Sequence, residues 1–169
     1  MRRVIRWPAV VAIITGTVLV YASAGAATDD RIAFPDGYRS WTHVSTSMIS
    51  SGANGANMHH IYANSKAMEG YRTSQFPNGS IIAFDRFGLL VNGATTKAGD
   101  RQVVDVMIRD SARFAETGGW GFDEFVGESR TQHSFDASQA VANCFKCHSQ
   151  RKDNGYVFSG FRDKERLSP

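Results

Sequence analysis

Two cysteines three positions apart, followed at once by a histidine, restrict this chain more than any other feature of its sequence. They are Cys144, Cys147 and His148, near the end of a chain of 169 residues. This spacing puts both thiols on one turn of a helix, with the imidazole beside them. Two thiols can add to the vinyl groups of one haem while the neighbouring imidazole reaches its iron. The motif therefore predicts one covalently attached haem c per chain, with His148 as an axial ligand.

The cysteine pair is open to other interpretations. In an exported protein such a pair can close into a disulfide, because the compartment is oxidising, and that disulfide can be redox-active. The pair can also form half of a zinc site, but zinc needs two more ligands and the sequence has no second cysteine pair. The histidine directly after the second cysteine favours haem attachment over these alternatives.

The N-terminus has the three parts of a secretory signal. Basic Arg2, Arg3 and Arg6 precede an apolar run over 10–21, which is followed by the small residues 22–26. This order predicts a signal peptide over 1–26, cleaved after Ala26, and hence a periplasmic or otherwise exported protein. The alternative is an uncleaved membrane anchor, because no charge interrupts residues 7–28 and about 20 apolar residues can span a bilayer.

The length and charge of the chain limit the number of domains and the classes of partner that we expect. The chain is sized for one domain, and its 42% of apolar residues suffice for one core. After the signal peptide we expect an N-terminal extension (27–33), a haem domain (34–162) and a C-terminal tail (163–169). Removal of the three signal arginines leaves 16 Lys and Arg against 16 Asp and Glu. No basic field then favours nucleic acid as a partner, and no membrane contact is expected after cleavage.

Strand-like segments outnumber helices in the rest of the chain. Alternating and β-branched residues predict strands over 59–63, 80–90, 102–108 and 120–126, with a loop over 95–100. Helices are predicted over 65–72, capped by Asn64, and over 137–149, capped by Asp136 together with Gln139. The pattern indicates an α+β fold, mainly antiparallel β-sheet with a few short helices, whose C-terminal helix carries the haem motif.

The second axial position of the haem decides between classes of function. A second strong ligand would make an electron carrier, whereas an open position would make a gas-binding or catalytic centre. Beyond the predicted signal peptide, four methionines precede the motif, at positions 48, 58, 68 and 107, and each is more simply interpreted as core filling. His59 and His60 are neighbours on a predicted strand, so only one of them can face a haem.

Several segments over about 34–161 carry a family resemblance. They are Tyr38–Trp41, Ile61–Asn64, Phe76–Gly79, Asp110–Ala115, Trp120–Phe122, the motif Cys144–His148, and Val157–Phe158 with Phe161. In order and spacing they resemble the cytochrome P-460 and cytochrome c′-beta family. Its members have a mainly antiparallel sheet, associate as dimers and keep a five-coordinate haem whose distal face is roofed by residues of the sheet. The resemblance therefore implies a homodimer with an open iron site.

One position divides this family into two branches. The hydroxylamine-oxidising members carry a lysine, cross-linked to the porphyrin, at the fifth residue after the turn glycine. Counted from Gly79, that position is Phe84, which resembles the aromatic cap of the c′-beta branch that binds nitric oxide and related gases. An aromatic ring over an open iron would exclude water, offer few donors to anions and admit a small neutral diatomic. Phe84 can also be an ordinary core residue.

Two further positions keep catalysis open as an alternative. The resemblance puts His59 where the hydroxylamine oxidisers have a distal arginine, and Asp105 where they have a distal glutamate. If both face the haem, they can relay protons or orient a bound nitrogen oxide. Lys66 and Lys97, the lysines upstream of the haem motif, are interpreted as solvated charges.

The sequence thus predicts a periplasmic mono-haem c-type cytochrome that binds nitric oxide or a similar small nitrogen-oxide or gas ligand, with His148 and Phe84 on opposite sides of the haem. One alternative is an oxidoreductase that oxidises hydroxylamine or reduces peroxide, with His59 and Asp105 as catalytic candidates. Another is a simple electron-transfer cytochrome c with an upstream methionine or histidine as second ligand. A redox partner protein is a further expectation.

Overall fold

The computed structural model describes residues 31–51 and 55–162. These residues form one antiparallel sheet of five strands whose order in space follows their order in sequence. The strands are β1 (Thr42–Ile49), β2 (Asn57–Ala63), β3 (Ile81–Asn92), β4 (Thr95–Arg109) and β5 (Trp120–Val126). The predicted α+β fold with a mainly antiparallel sheet is confirmed.

Short helices join and cover the strands. In the described residues they are α1 (Ser65–Thr73), α2 (Ala137–Ala140), a π-helical turn (Val141–Phe145), α3 (Lys146–His148), and 3-10 turns at Tyr38–Ser40, Ala115–Thr117 and Ser149–Asn154. Asn64 caps α1 by accepting a hydrogen bond from the Ala67 N–H, and Asp136 with Gln139 forms a capping box on α2. Both predicted caps are confirmed, because each side chain satisfies backbone N–H groups that have no partner inside the helix.

Cross-strand register sorts the side chains into rows on one face of the sheet, since directly paired residues point to the same side. The first row is Ala63, Ile82, Met107 and Phe122, the second row is Ile61, Phe84, Asp105 and Glu124, and the third row contains His59 and Arg86. Neighbouring rows are two residues apart along each strand, or roughly 7 Å. The first row joins the main core, together with α1 and the segment after α3.

The opposite face of the sheet is closed by the segment before β1. Ile32 and Tyr38 pack there against Ala83, Val104, Val106 and Phe125 of the sheet. Asp85, fully buried on this face, accepts hydrogen bonds from the Tyr38 hydroxyl at 2.6 Å and the Arg39 Nε at 3.0 Å. These contacts fix the N-terminal segment on the side of the sheet away from the C-terminal helices.

Two local predictions were wrong or incomplete. Residues 95–100 are the first part of β4 rather than a loop, because β3 and β4 continue as a hairpin around the turn at Gly93 and Ala94. Strand β1 was not predicted at all. Only Val44 of its eight residues is buried, so this edge strand shows little of the apolar alternation by which a strand is recognised.

Some predicted segments lie outside the described residues. They are the signal peptide over 1–26, residues 27–30 of the N-terminal extension and the tail over 163–169. Among the residues that the structure describes, none of the helices is both long enough and apolar enough to span a bilayer.

Candidate functional site

A cavity of about 1240 Å³ lies between the face of the sheet that carries the three rows and the C-terminal part of the chain. Every residue singled out from the sequence for the site is in its wall, namely His59, Phe84, Asp105, Cys144, Cys147 and His148. Residues 157–162 close another side of it. The cavity exceeds the roughly 300–1,000 Å³ of an ordinary small-ligand pocket, so it has room for a planar macrocycle.

The orientation of His148 is fixed by a backbone carbonyl. Its Nδ1 lies 2.7 Å from the carbonyl oxygen of Tyr156, and because a carbonyl only accepts, Nδ1 carries the proton. The lone pair is therefore on Nε2, which is the arrangement a metal-ligating histidine needs. Tyr156 has a positive φ of 68°, rare for a residue other than glycine. Burial also lowers the pKa of His148, which keeps the imidazole neutral.

Aromatic rings hold the His148 imidazole from two sides. The ring centroids of Phe122 and Phe158 each lie 5.1 Å from that of His148. Phe122 belongs to the first row of the sheet, so His148 sits at the level of that row. The second row, with Phe84 and Asp105, lies roughly 7 Å further along the strands.

The two cysteines are free thiols within about one turn of the helical segment. Cys144 lies in the π-helical turn and is half-buried, whereas Cys147 lies in α3 and is exposed. Burial, and then the negative charges of Asp105 and Glu124, raise the pKa of the Cys144 thiol to about 12. Within the described residues, no group of three or more His, Cys, Asp and Glu side chains is placed to hold a metal ion.

His59 and Phe84 form a stacked pair across β2 and β3. Their ring centroids are 4.3 Å apart with an interplanar angle of 23°. His59 is buried, with Nδ1 within 3.5 Å of the Asn57 side-chain oxygen, at the outer limit of a hydrogen bond. Burial, and then the nearby charges of His60 and Arg86, lower the pKa of His59. His59 is therefore a neutral imidazole near pH 7.

The alternation of β2 separates the two neighbouring histidines, as predicted. His60 points to the opposite face of the sheet, where its Nδ1 lies 2.7 Å from the Thr46 hydroxyl. Among the methionines, Met107 lines the cavity but lies in the first row, on the same level as His148. Met68 is in the main core, as predicted. Met48 is exposed, so its interpretation as a core residue was wrong.

A charged group on the cavity face was missed by the sequence analysis. Asp105 pairs directly with Glu124 across β4 and β5. Burial and the neighbouring Glu124 raise the pKa of Asp105 well above its usual range. Arg86 lies 3.7 Å from Glu124 and also lines the cavity. Counting in steps of two from Phe84 and from Phe122 would have found Arg86 and Glu124.

The residues present fit a haem. Two thiols and an imidazole with a free Nε2 lie at one wall of a large cavity, which is the donor set that a covalently held haem requires. The imidazole is already aligned by its carbonyl partner and by two rings. The remaining wall offers the Phe84 ring, the neutral imidazole of His59 and the Asp105 carboxyl.

The comparison with known families agrees with this geometry. Residues 35–159, well over half of the chain, match the family described as Cytochrome P460. No curated protein matches the chain. The matched segment includes the haem motif and all three rows of the cavity face. The chain therefore belongs to the cytochrome P460 family and is a haem-binding cytochrome.

Proposed function

We propose that this protein is an exported cytochrome with one haem c, bound through Cys144 and Cys147 and ligated by His148, that binds nitric oxide or a similar small nitrogen-oxide or gas ligand. The observation that carries the proposal is that Phe84 lines the same cavity as His148. Phe84 belongs to the row next to that of His148, and its side chain has no atom that can ligate iron. When bound, the haem would supply an iron with an open coordination position and one-electron chemistry.

Two other side chains are poorly placed to be a second ligand. His59 lies in the third row, stacked against Phe84, and is therefore one row further than Phe84 from the level of His148. Met107 lies in the first row, beside the Phe122 ring that touches His148. Neither residue therefore occupies the position opposite His148.

The apolar cap would set ligand selectivity. A phenyl ring excludes water and donates no conventional hydrogen bond, so an anion that needs such a donor gains little at this wall. A small neutral diatomic molecule loses little on entering the same space. Phe84 therefore supports nitric oxide over anionic ligands, and it resembles the aromatic cap of the c′-beta branch.

The optical spectrum of the ferrous holoprotein tests this proposal. We expect a five-coordinate high-spin spectrum at neutral pH that changes when nitric oxide is added. A six-coordinate low-spin spectrum would contradict the open site and would favour a simple electron-transfer cytochrome. Replacement of Met107 or His59 would then identify the second ligand.

A second candidate is an oxidoreductase that acts on hydroxylamine or peroxide. It is favoured by His59 and Asp105, which line the same cavity as the haem motif and can exchange protons with a bound substrate. The absence of a lysine at Phe84, where hydroxylamine-oxidising members have one, weighs against it. Steady-state turnover with hydroxylamine and with peroxide decides the matter, because the binding protein should show none.

The site of action and the partners are part of the proposal. The N-terminal signal supports export to the periplasm, where a redox partner protein would set the oxidation state of the iron. A homodimer is supported by exposed apolar side chains at one end of the sheet, where Met48 and Ile49 end β1, and Leu90 and Val91 lie near the tip of the β3–β4 hairpin. Exposed apolar patches of this kind commonly mark protein interfaces.

A further inference from the structure

The C-terminal segment over 137–162 carries the unbalanced positive charge of the part of the chain that the structure describes. This segment has four basic residues against one acidic residue, whereas the other described residues have ten basic against eleven acidic. The basic residues of the segment are Lys146, Arg151, Lys152 and Arg162, and all four are exposed. The binding of a small ligand inside the cavity gives this charge no role.

These four charges are not neutralised within the protein. Among residues 31–51 and 55–162, none of the four side chains forms an ion pair with a carboxylate. Arg39 and Arg101, by contrast, both pair with Asp85. The one acidic residue of the segment, Asp153, is exposed as well. The segment therefore presents a net positive charge to the solvent, and such a field attracts acidic partners and accelerates their association.

Phe158 adds an exposed aromatic ring to the same segment. It is 48% exposed, although burial of a phenylalanine side chain normally stabilises a fold. Its ring meets that of His148 edge-on, with an interplanar angle of 79°, and the Arg151 guanidinium lies 5.4 Å from its centroid. Phe158 therefore connects the histidine of the haem motif with a positive charge at the surface. The four basic residues and Phe158 are called the basic surface below.

The basic surface borders the residues that would hold the haem. Lys146 lies between the two cysteines of the motif, and Phe158 and Arg162 line the same cavity as Cys147. Cys147 is exposed, so one of the two points of haem attachment is at the surface of the protein. Because electron transfer slows steeply with distance, a redox partner would need to approach the protein on this side.

The basic surface lies far from the exposed apolar side chains at the hairpin tip. His148 contacts Phe122, which is in the same row as Ile82. On β3, eight residues separate Ile82 from Leu90, or roughly 26 Å at the rise of a strand. A partner on the basic surface would therefore leave the hairpin tip free for a second copy. The basic surface is itself poorly suited to bind a second copy, because a twofold contact would bring like charges together.

We propose that the basic surface docks an acidic protein that carries one electron, with Phe158 in the contact and the four basic residues facing carboxylates of the partner. The carrier gives up one electron and is oxidised, this cytochrome takes up that electron and is reduced, and no proton or other co-reactant is needed. The proposal rests on the proposed function for the presence of a haem and a redox partner. It adds the charge of that partner and the surface that binds it.

Calorimetric titration of the holoprotein with a plant-type ferredoxin, a small acidic one-electron carrier, tests the docking. We expect binding at an ionic strength of about 0.01 M that weakens as salt is added, because salt screens the attraction. At about 0.1 M, the double variant Arg151→Glu and Lys152→Glu should bind at least about tenfold more weakly than the wild type. Phe158→Ala should also weaken binding but keep the salt dependence, since it removes contact area and no charge.

The matched control is the double variant Lys66→Glu and Lys97→Glu. It makes the same change in net charge at exposed lysines of α1 and β4. It should bind the ferredoxin as the wild type does at about 0.1 M, where charges more than roughly 10 Å away are largely screened. Equal losses in the two double variants, or no loss in either, would overturn the proposal. A basic cytochrome c that bound as tightly as the ferredoxin would overturn it too.

Other occupants of the basic surface would give different results. If the variant at Arg151 and Lys152 changed the mass of the particle in light scattering, the surface would be an interface between copies. If the wild type bound phosphatidylglycerol vesicles and not the ferredoxin, the surface would bind lipid. Either result would overturn the proposal. Circular dichroism and the haem absorbance of each variant establish that the fold and the cofactor are retained.

The docking surface and the gas-binding function are tested separately. The variant at Arg151 and Lys152 should give the same nitric oxide spectrum as the wild type, because both side chains are exposed. A wild-type protein that docked the ferredoxin but bound no nitric oxide would overturn the gas-binding function and not the docking surface. A protein that bound nitric oxide but not the ferredoxin would overturn the docking surface alone.

Discussion

In the proposed function, individual side chains on the cavity wall would decide which ligands the protein binds. Phe84 stacks on His59 and lies one row from the level of His148. In the proposed function, this ring would exclude a larger or anionic ligand. The choice of ligand would then depend more on Phe84 than on the haem motif, whose proposed role is to hold the cofactor.

Phe84→Ala should open the capped side of the cavity. We expect azide and imidazole, which need more room or a hydrated site, to bind the ferric protein at least about tenfold more tightly than in the wild type, which corresponds to roughly 1.4 kcal/mol. Spectroscopic titration measures both affinities. Phe87→Ala is the matched control, since Phe87 is also half-buried on β3 but touches His60 and Arg39 on the opposite face. Equal affinities in the two variants would contradict the role of Phe84.

The raised pKa of Asp105 also predicts a dependence of stability on pH. The folded protein holds this proton above the pH at which an unfolded aspartic acid loses it, about 3.9. The folded state then binds more protons than the unfolded state, so its stability falls as the pH rises from that value through the folded pKa. Thermal unfolding at several pH values should show the wild type losing stability relative to Asp105→Asn as the pH rises from about 4. If the stability of the wild type and of Asp105→Asn changed with pH in the same way, the raised pKa of Asp105 would be contradicted.

At the scale of elements, the sheet positions the residues of the cavity wall, and the Asn64 side chain links the sheet to α1. The Asn64 side chain accepts from the Ala67 N–H at 2.9 Å and the Ile81 N–H at 3.1 Å, and it donates to the Gly79 carbonyl at 2.9 Å. It therefore caps α1 and fixes the start of β3, the strand that carries Phe84.

Asn64→Ala should destabilise the fold by roughly 1–3 kcal/mol, because it removes a cap and leaves backbone groups without partners. Chemical denaturation measures this difference. Asn64→Asp retains the accepting oxygen and loses only the donation to Gly79, so it should cost less than the alanine variant. Gln75→Ala, an exposed change beyond α1, should have almost no effect. A cost for Asn64→Ala no larger than that of Gln75→Ala would contradict the role.

Helices and strands with a signal in a few adjacent residues could be predicted from the sequence. Strands that form because they pair with neighbouring strands in space could not. The cap at Asn64 and the aromatic residues of β5 are visible in the sequence because each signal depends on a few adjacent residues. Strand β1 and the outer part of β4 carry mostly exposed side chains. Their strand geometry comes from pairing with β2 and β3, which a local pattern does not record.

The same distinction applies to the site. Cys144, Cys147 and His148 form a contiguous motif, and the family resemblance supplied His59, Phe84 and Asp105. Glu124 and Arg86 were missed because their role comes from contacts between β3, β4 and β5. The carbonyl of Tyr156 was missed because a backbone acceptor leaves no mark in the residue type.

At the scale of the whole molecule, the apolar end of the sheet supports a dimer. Leu90 and Val91 are 62% and 69% exposed near the tip of the β3–β4 hairpin, and Met48 at the end of β1 is 57% exposed. The end of β1 and the tip of the β3–β4 hairpin therefore lie at the same end of the sheet. A second copy that covered this end would remove these side chains from water.

The double variant Leu90→Glu and Val91→Glu should shift the protein from dimer to monomer, because charge would replace apolar surface at the proposed interface. Light scattering after size-exclusion chromatography measures the mass of the particle. Gln150→Glu, an exposed change in the C-terminal segment, is the control and should remain dimeric. A double variant with the mass of the wild type would place any dimer interface elsewhere.

Every functional proposal depends on the attachment of the porphyrin to this chain. The intact mass of the mature, denatured protein measures that attachment directly, because only a covalently bound haem survives denaturation. We expect the mass of the chain cleaved after Ala26 plus one haem, and loss of that added mass when Cys144 and Cys147 are both replaced by alanine. A mature wild-type chain with no added haem would contradict the account.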